Sequence, residues 1–416
     1  MKPLNDNAHP LESLLQQHCP NGVEFKPLYE LTFWDKKFAA VDKAWQPKTL
    51  KFTHILAKDL QNLIVPNGDI KLLSTGKFDD YTDIKTAQNL INEGEVIAIP
   101  SGGEANLKYY KGKFVDSGNI LATARDSTNS LKFIYYYLLT RQKDLDSSFR
   151  GGSIKHPEMK KILQIPIPLP PLEIQYKIVE ILDTFTELEA ELEAELEAEL
   201  EARLKQYHYY RNKLLSHDEL ENRTAKSRND EKTPLVPLVT LGEACEILDN
   251  LRKPITKSKR TQGIYPYYGA NGIQDYVNEY IFDGDFLLMG EDGSVINKDN
   301  SPVLNWVSGK FWVNNHAHIL KEKSNTTNLR FVFFYLQTCD VSSIVRGVPP
   351  KINQQNLKTI QIPLPPLAVQ NDIVELLDKF DTLTNDLTSG IPAEIEARKK
   401  QYEYYRERLL SFIAKD

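Results

Sequence analysis

Cationic side chains interleaved with tyrosines are the residues of this sequence best suited to chemistry, and the chemistry they suit is polyanion binding. Arg252 with Lys253 and the run Lys257-Ser258-Lys259-Arg260 precede Tyr265, Tyr267 and Tyr268, while Lys108, Lys111 and Lys113 interleave Tyr109, Tyr110 and Phe114. Lysine and arginine neutralise phosphates, and amide side chains in polar loops read base edges. Asn271 and Gln274 in Tyr268-Gly-Ala-Asn-Gly-Ile-Gln274, together with Asn314-Asn315-His316, offer such donors and acceptors. Lys36, Lys37, Lys77, Arg150, Lys155, Arg346 and Lys351 extend the candidate set. Each cluster is equally an ordinary solvated surface, and Asn271-Gly272 is equally a turn signal.

Catalysis would need further apparatus. The sequence holds no Asn-Pro-Pro-aromatic or Asp-Pro-Pro-Tyr motif for amino-methylation, no glycine-rich methyl-donor loop after a strand, and no GxxxxGK[ST] phosphate loop. Gly290-Glu291-Asp292-Gly293 reads as hairpin geometry ahead of a metal site. His316 and His318 are expected on one strand face without further ligands nearby, as structural or polar-contact residues ahead of zinc ligands. Cys19, Cys245 and Cys339 are odd in number and far apart, which fits a reducing compartment and gives neither a disulfide framework nor a metal spacing. No cofactor and no metal are expected. With no signal pattern at the start and no run of about 18 apolar residues, the expectation is a soluble cytoplasmic protein without a membrane partner.

The elements that must position these loops form a tandem repeat. Pro170-Pro171-Leu172 aligns with Pro365-Pro366-Leu367, and an offset of 195 holds without a gap to Ser216 and Ser411. Gln175, Ile178, Val179, Leu182 and Phe185 return as Gln370, Ile373, Val374, Leu377 and Phe380. In the first copy Ile181, Phe185, Leu188, Leu192, Leu196, Leu200, Leu204, Tyr207, Tyr210 and Leu214 make an apolar stripe of mean spacing 3.67, close to that of a straight helix. One helix of this length would leave its stripe in water, so the second copy is expected to pair with it, antiparallel. Four Glu-Leu-Glu-Ala units run from Glu187 to Ala202; their glutamates repel weakly at i and i+4, so propensity and packing rather than ion pairs are expected to hold them. Gly390 and Pro392 should break the second copy in two, with Pro392 near the start of the second segment. Tyr207, Tyr210, Tyr402 and Tyr405 are read as packing aromatics ahead of a stacking platform for bases. The excess acid of the chain, net charge −6, lies in the helical copies: residues 170–216 carry 11 acidic and 5 basic side chains. The globular segments are left neutral to slightly basic and open to polyanions.

The globules repeat more loosely. Glu95 to Pro100 reads as a strand, and Leu131 to Leu139 as a buried helix or a strand. Gly284-Asp285-Phe286 stands where Gly94-Glu95-Val96 stands, Gly309-Lys310-Phe311 where Gly112-Lys113-Phe114 stands, and Arg346-Gly347 where Arg150-Gly151 stands. Residues 217–232 are polar without periodicity and read as a linker. The expected fold class is α+β: a mixed α/β globule over 1–164, a helical spacer over 165–217, a linker over 218–232, a second globule over 233–361 and a distal helical spacer over 362–416. The two long helices are expected to pair as an antiparallel coiled coil in a pseudo-twofold tandem repeat.

In this layout the chain resembles the DNA-specificity subunit of type I restriction–modification systems. The likeness is carried by Ile165-Pro-Ile-Pro-Leu-Pro-Pro-Leu-Glu-Ile-Gln175, by Ile362-Pro-Leu-Pro-Pro-Leu-Ala-Val-Gln370, and by the ending Arg398-Lys-Lys-Gln-Tyr-Glu-Tyr-Tyr-Arg406. Tyr268-Gly-Ala-Asn-Gly-Ile273 with Gly290-Glu-Asp-Gly293 is similar to a target-recognition domain of that family, and the tandem four-residue units to its IC subclass. The resemblance implies that each globule is a target-recognition domain reading one half of a bipartite site in double-stranded DNA. It also implies that the helices space the globules and dock two modification (methyltransferase) subunits, and through them restriction (translocase/nuclease) subunits, the chain itself being non-catalytic. Leu188, Leu192, Leu196, Leu200, Tyr207, Tyr210, Tyr402 and Tyr405 are then the spacer and docking candidates. The alternative is a coiled-coil scaffold joining two protein-binding domains.

Overall fold

The computed structural model describes residues 19–228, 236–323, 325–385 and 390–412 of the 416. The chain divides into two compact units, Met1–Glu193 with Glu396–Asp416, and Ala194–Ile395.

The first unit is built on a six-stranded mixed sheet of β1 (Thr32–Trp34), β2 (Ile70–Leu73), β3 (Asp79–Thr82), β4 (Asn92–Pro100), β5 (Lys108–Asp116) and β6 (Asn119–Ala124), in the order β1-β6-β4-β5-β2-β3. The second unit repeats it with β7 (Cys245–Ile247), β8 (Gln262–Gly269), β9 (Gly272–Val277), β10 (Phe282–Gly290), β11 (Leu304–Val313) and β12 (Ala317–Glu322), in the order β7-β12-β10-β11-β8-β9. In each sheet one pairing is parallel, β2 with β5 and β8 with β11, and the others are antiparallel. The glycines aligned by sequence sit opposite each other: Gly94 pairs across to Gly112, and Gly284 to Gly309. All four have positive φ, so the central ribbon bends at the same place in both sheets.

The apolar stretch from Leu131 resolves as a helix, α1 (Leu131–Thr140), because Ser130 caps it: its hydroxyl accepts the Phe133 N–H at 3.2 Å. Phe133, Ile134 and Leu138 are fully buried under it. The repeat continues in α4 (Leu329–Leu336), capped by Asn328. The Ile-Pro lead-ins return to the start of each globule: Pro166–Leu169 pairs with Glu24–Pro27, and Gln361–Pro363 with Leu238–Thr240. These are two-stranded edges, where proline costs no ladder bond.

The first helical copy is one helix, α2 (Leu172–Leu214), and it belongs to both units. Its beginning closes the first core with Ile174, Ile178 and Leu182, beside Leu409 and Leu410 from the end of the chain. Its far end closes the second core with Tyr207 and Leu214, beside Val369, Ile373 and Leu377 of α5 (Leu367–Asn385). Each globule is therefore sealed by the start of one copy and the end of the other, and each buried aliphatic contributes about 1.5–3 kcal/mol. In the first unit the partner is α6 (Ile391–Leu409), and the two helices run antiparallel: the Phe185 and Tyr405 rings lie 6.1 Å apart, Thr186 Oγ1 is 2.9 Å from Tyr402 Oη, and Lys399 meets Glu193 at 2.6 Å. Pro392 lies in the first turn of α6, after the break expected at Gly390; residues 386–389 fall outside the described residues.

Several expectations are corrected. The stretch read as a linker forms α3 (His217–Arg228), tied to the second core by fully buried Leu220, with Thr224 buried one turn later and bonded back to the Leu220 carbonyl; residues 229–232 lie outside the described residues. The stripe is not evenly covered, since Leu196 is buried but Leu188 is 56% exposed. Nor does the glutamate-rich stretch do without ion pairs: besides Glu193–Lys399, Glu199 meets Arg203 at 3.4 Å and Glu201 meets Lys205 at 2.6 Å.

Candidate nucleic-acid interface

Each unit carries a histidine held between acceptors, His318 on β12 and His54 on an isolated bridge beside Asp116 of β5. His54 has Nδ1 2.7 Å from Asp116 and Nε2 3.0 Å from Asp35, and its hydrogen bonds to Asp116 and Asp35 raise its pKa to about 9, against the effect of burial. His318, fully buried, has Nδ1 2.7 Å from Asp249 and Nε2 2.8 Å from the Ile352 carbonyl. Both ring nitrogens are thus placed against oxygen acceptors. Burial would raise the Asp249 carboxyl, but the His318 hydrogen bond and the charges of His318 and Arg252 outweigh it and hold it below the ordinary range. The same backbone amide is capped in both units: Asp35 accepts from Leu121 N at 2.9 Å and Asp249 from Ile319 N at 3.1 Å.

Asp249, Glu291 and His318 are the only group among the described residues close enough to share a metal ion. Glu291 is already engaged by the Arg252 guanidinium and, at 3.1 Å, by Lys351. The chain's own cations thus occupy its place in a ligand set. His316 does not share a strand face with His318: β12 begins at Ala317, and His316 sits before it, half-exposed, 3.8 Å from Asp292.

Some candidate cations serve the fold. Lys108 Nζ donates to Ser74 O, Ser74 Oγ and Phe78 O at 3.0–3.2 Å, and burial pulls its pKa down. Lys36 donates to Asn119 O at 3.0 Å. Arg252 donates to Ala317 O at 2.8 Å, and Arg260 pairs with Asp275 at 3.1 Å while lying 4.2 Å over the Tyr267 ring. Lys37, Lys77, Lys111, Lys113, Lys155, Lys257, Lys259 and Arg346 are exposed, as is Arg150, which meets Glu158 at 3.2 Å. Lys77 and Lys155 line one polar cavity of about 530 Å³ with Asn106 and Gln142.

In the second unit the amides are brought together. Asn314 Nδ2 donates to Gln274 Oε1 at 3.1 Å, its own Oδ1 accepts from His316 N at 2.8 Å, and its backbone N–H donates to Tyr268 O. Asn314 is buried, so it positions exposed Gln274 instead of presenting an amide to a ligand. Asn271 and Asn315 are exposed, and Tyr268 is half-buried with its ring edge-on to Phe311. The spacer tyrosines pack: Tyr207 is buried and donates to Gln337 at 3.1 Å, and Tyr210 stacks on Phe380 at 5.6 Å. His54, Asp35, Asp116 and Asp249 were not among the sequence candidates, because no local spacing marks partners 62 and 69 residues apart.

Two like mixed sheets, each sealed by helix and each with exposed cations on its strands or loops, make a tandem repeat of one scaffold. The sequence pattern of the type I restriction modification DNA specificity domain matches residues 53–202 and again 236–397, and the chain belongs to that family. It is a DNA sequence recognition subunit. Over 176 residues it is 44% identical to a type I restriction enzyme specificity subunit of Haemophilus influenzae, covering 41% of this chain and 45% of that relative, less than half its length. It is 33% identical over 262 residues to a type I specificity subunit of Mycoplasma pneumoniae, covering 61% of this chain and 98% of that one. An Escherichia coli specificity subunit is 32% identical over 326 residues, 70% of this chain and 74% of the relative. The fold is shared with the crystal structure of a type I restriction-modification S subunit from M. genitalium, with a TM-score of 0.51 at 19% identity over 99% of both chains. A chain from the complex of a type I R-M system gives 0.50 at 16%, covering 94% of this chain and 98% of that one. Among the described residues no helix is long and apolar enough to cross a membrane.

Proposed function

We propose that each globule reads one half of a bipartite duplex site and that the helices set the distance between the halves. On this reading the chain is non-catalytic and acts in the cytoplasm. It docks two modification subunits, which methylate adenine, and through them the restriction subunits. The observation that carries the reading is the repeated strand order on two sheets whose loop residues have diverged: one scaffold, two different reading surfaces. A scaffold can be kept while its loops change what is read. The exposed residues Lys257, Lys259, Asn271 and Gln274 of the second unit, and Lys77, Lys111, Lys113 and Lys155 of the first, supply the phosphate and base contacts on this reading.

The test is a map of methylated adenines in cells carrying this chain with its modification subunit, beside a mobility shift of the mapped duplex at rising salt. Two sequence elements separated by a fixed gap, with affinity falling linearly on a log–log salt plot, are expected. Assembly with the modification subunit that confers no sequence preference would reduce the chain to a scaffold.

A further inference from the structure

Both globules project the same finger. In the first, Phe149–Arg150 pairs antiparallel with His156–Pro157, and the turn between them carries Ile154, 59% exposed. In the second, Arg346 pairs with Lys351, and the turn between them carries Val348, 101% exposed. Each turn is clamped to the connection between the two central strands: Gly103 N donates to Lys155 O at 2.8 Å, and Gly293 N to Pro350 O at 2.9 Å. Glycine is needed at the root of the first finger, because a Cβ on Gly151 would stand 2.3 Å from the Ile154 carbonyl oxygen.

A single exposed aliphatic needs no explanation. Two of them do, when they sit at the tips of matching clamped fingers in half-molecules that have otherwise drifted apart. In the second finger Val348 is followed by Pro349 and Pro350, which have no N–H to offer, so the tip presents apolar surface and little else. Cations stand at both roots. Arg150 and Lys351 are already paired with Glu158 and Glu291, whereas Lys155 is exposed and Arg346, also exposed, gives one N–H to the Val345 carbonyl at 2.8 Å and keeps the rest of its fork for a ligand. A clamped apolar tip between cations matches a duplex groove, with phosphates on the rims and base edges at the floor.

We infer that each finger enters a groove of the DNA, with Ile154 and Val348 packed against the bases and Lys155 and Arg346 on the flanking phosphates. This rests on the DNA-reading function proposed above and adds the contact by which each half reads. An apolar residue there favours a base-pair step with apolar surface, such as a thymine methyl, over a polar one.

The full chain is used to select duplexes from a random-sequence pool, and binding of a selected duplex is then titrated at several salt concentrations. Val348→Ser and Ile154→Ser should each weaken binding about tenfold without changing the salt slope, since burying one aliphatic side chain is worth about that factor. Val348→Leu should keep the affinity. Arg346→Ala and Lys155→Ala should each lower the salt slope by about one. Val348 is fully exposed, so its replacement should leave folding intact, checked by thermal melting. Binding by Val348→Ser within twofold of the parent overturns the finger while leaving DNA reading in place. Unchanged DNA binding with lost assembly on the modification subunit overturns it as well, making the tip a protein contact. A pool in which the parent chain enriches nothing removes the DNA-reading function, and the finger with it.

Discussion

The side-chain oxygen of Gln370 accepts the backbone N–H of Asn328 at 2.8 Å, and its amide donates to Thr326 O and Pro365 O at 2.8 and 2.7 Å. Gln370 is fully buried and lies in the first turns of α5, while Asn328 is the N-cap of α4. One side chain thus fixes the angle between the spacer helix and the helix beneath the sheet. Gln175 does the same in the first unit, accepting from Ser130 N at 2.9 Å and donating to Pro170 O at 2.9 Å.

Replacing Gln370 by leucine keeps the volume but leaves one N–H and two carbonyls without their partner. The expected loss is about 1–3 kcal/mol of unfolding free energy in urea, the cost of stranding the buried Pro365 carbonyl, while the exposed Thr326 carbonyl can turn to water. Asn371→Ala, which removes an exposed contact to Asn328, should cost under about 1 kcal/mol. Equal losses in the two variants would show that Gln370 is only packing.

His54 gives the first unit a pH signature. Its pKa in the folded chain is raised to about 9, above that of a free imidazole, by its bonds to Asp116 and Asp35. A raised folded pKa means that the stabilisation is complete below about pH 6.5 and is lost as pH climbs through about 9. Melting of the full chain should therefore weaken across that window, by about 2 kcal/mol once partial exposure is discounted. His54→Gln should be less stable at pH 6 and lose this dependence; a slope parallel to the parent's would assign it to other groups.

The tandem plan is legible because it rests on residues with one physical use. The Ile-Pro lead-ins must be extended, Gly94 and Gly112 must bend, and the paired glutamines recur at one helix position. Strand order is not legible, since nothing in the sequence says that β6 lies between β1 and β4. Nor are roles within the site: an Asn in a polar loop has the same chemistry whether it faces a base or, as Asn314 does, bonds Gln274. Residues 217–228 escape notice as a helix because, among the described side chains of 217–227, only Leu220 and Thr224 are buried, too few to make a period.

Arg330 shows why charge and shape must both be kept. Its guanidinium bonds Asp378 at 2.7 Å and Asp381 at 2.6 Å, and lies 4.6–4.9 Å from the ring centres of Phe333, Phe334 and Trp306. Lysine preserves the charge but neither the fork nor the flat face. Arg330→Lys should lose about 1–3 kcal/mol in denaturant unfolding. In a double-mutant cycle with Asp378→Asn the losses should not add. Full additivity would mean that the pair does not couple.

Glu191 to Ala194 is one Glu-Leu-Glu-Ala unit of α2, and the passage from one compact unit to the other falls inside it. Removing the unit moves the following residues by about 6 Å and about 40° along an α-helix. A base pair adds about 3.4 Å and about 35°. By rotation the change matches one base pair, and by rise nearly two. The repeat also restores its own contacts, for after the deletion Glu197 stands where Glu193 met Lys399, and Leu196 where Leu192 stood. We therefore expect both half-sites to survive and the preferred spacer to shorten by one or two base pairs in the methylation map. Deleting only Glu193 and Ala194 should turn the helix by about 160° out of phase and abolish specific binding. An unchanged spacer after the four-residue deletion would leave α2 as a tether, with the gap between half-sites set elsewhere.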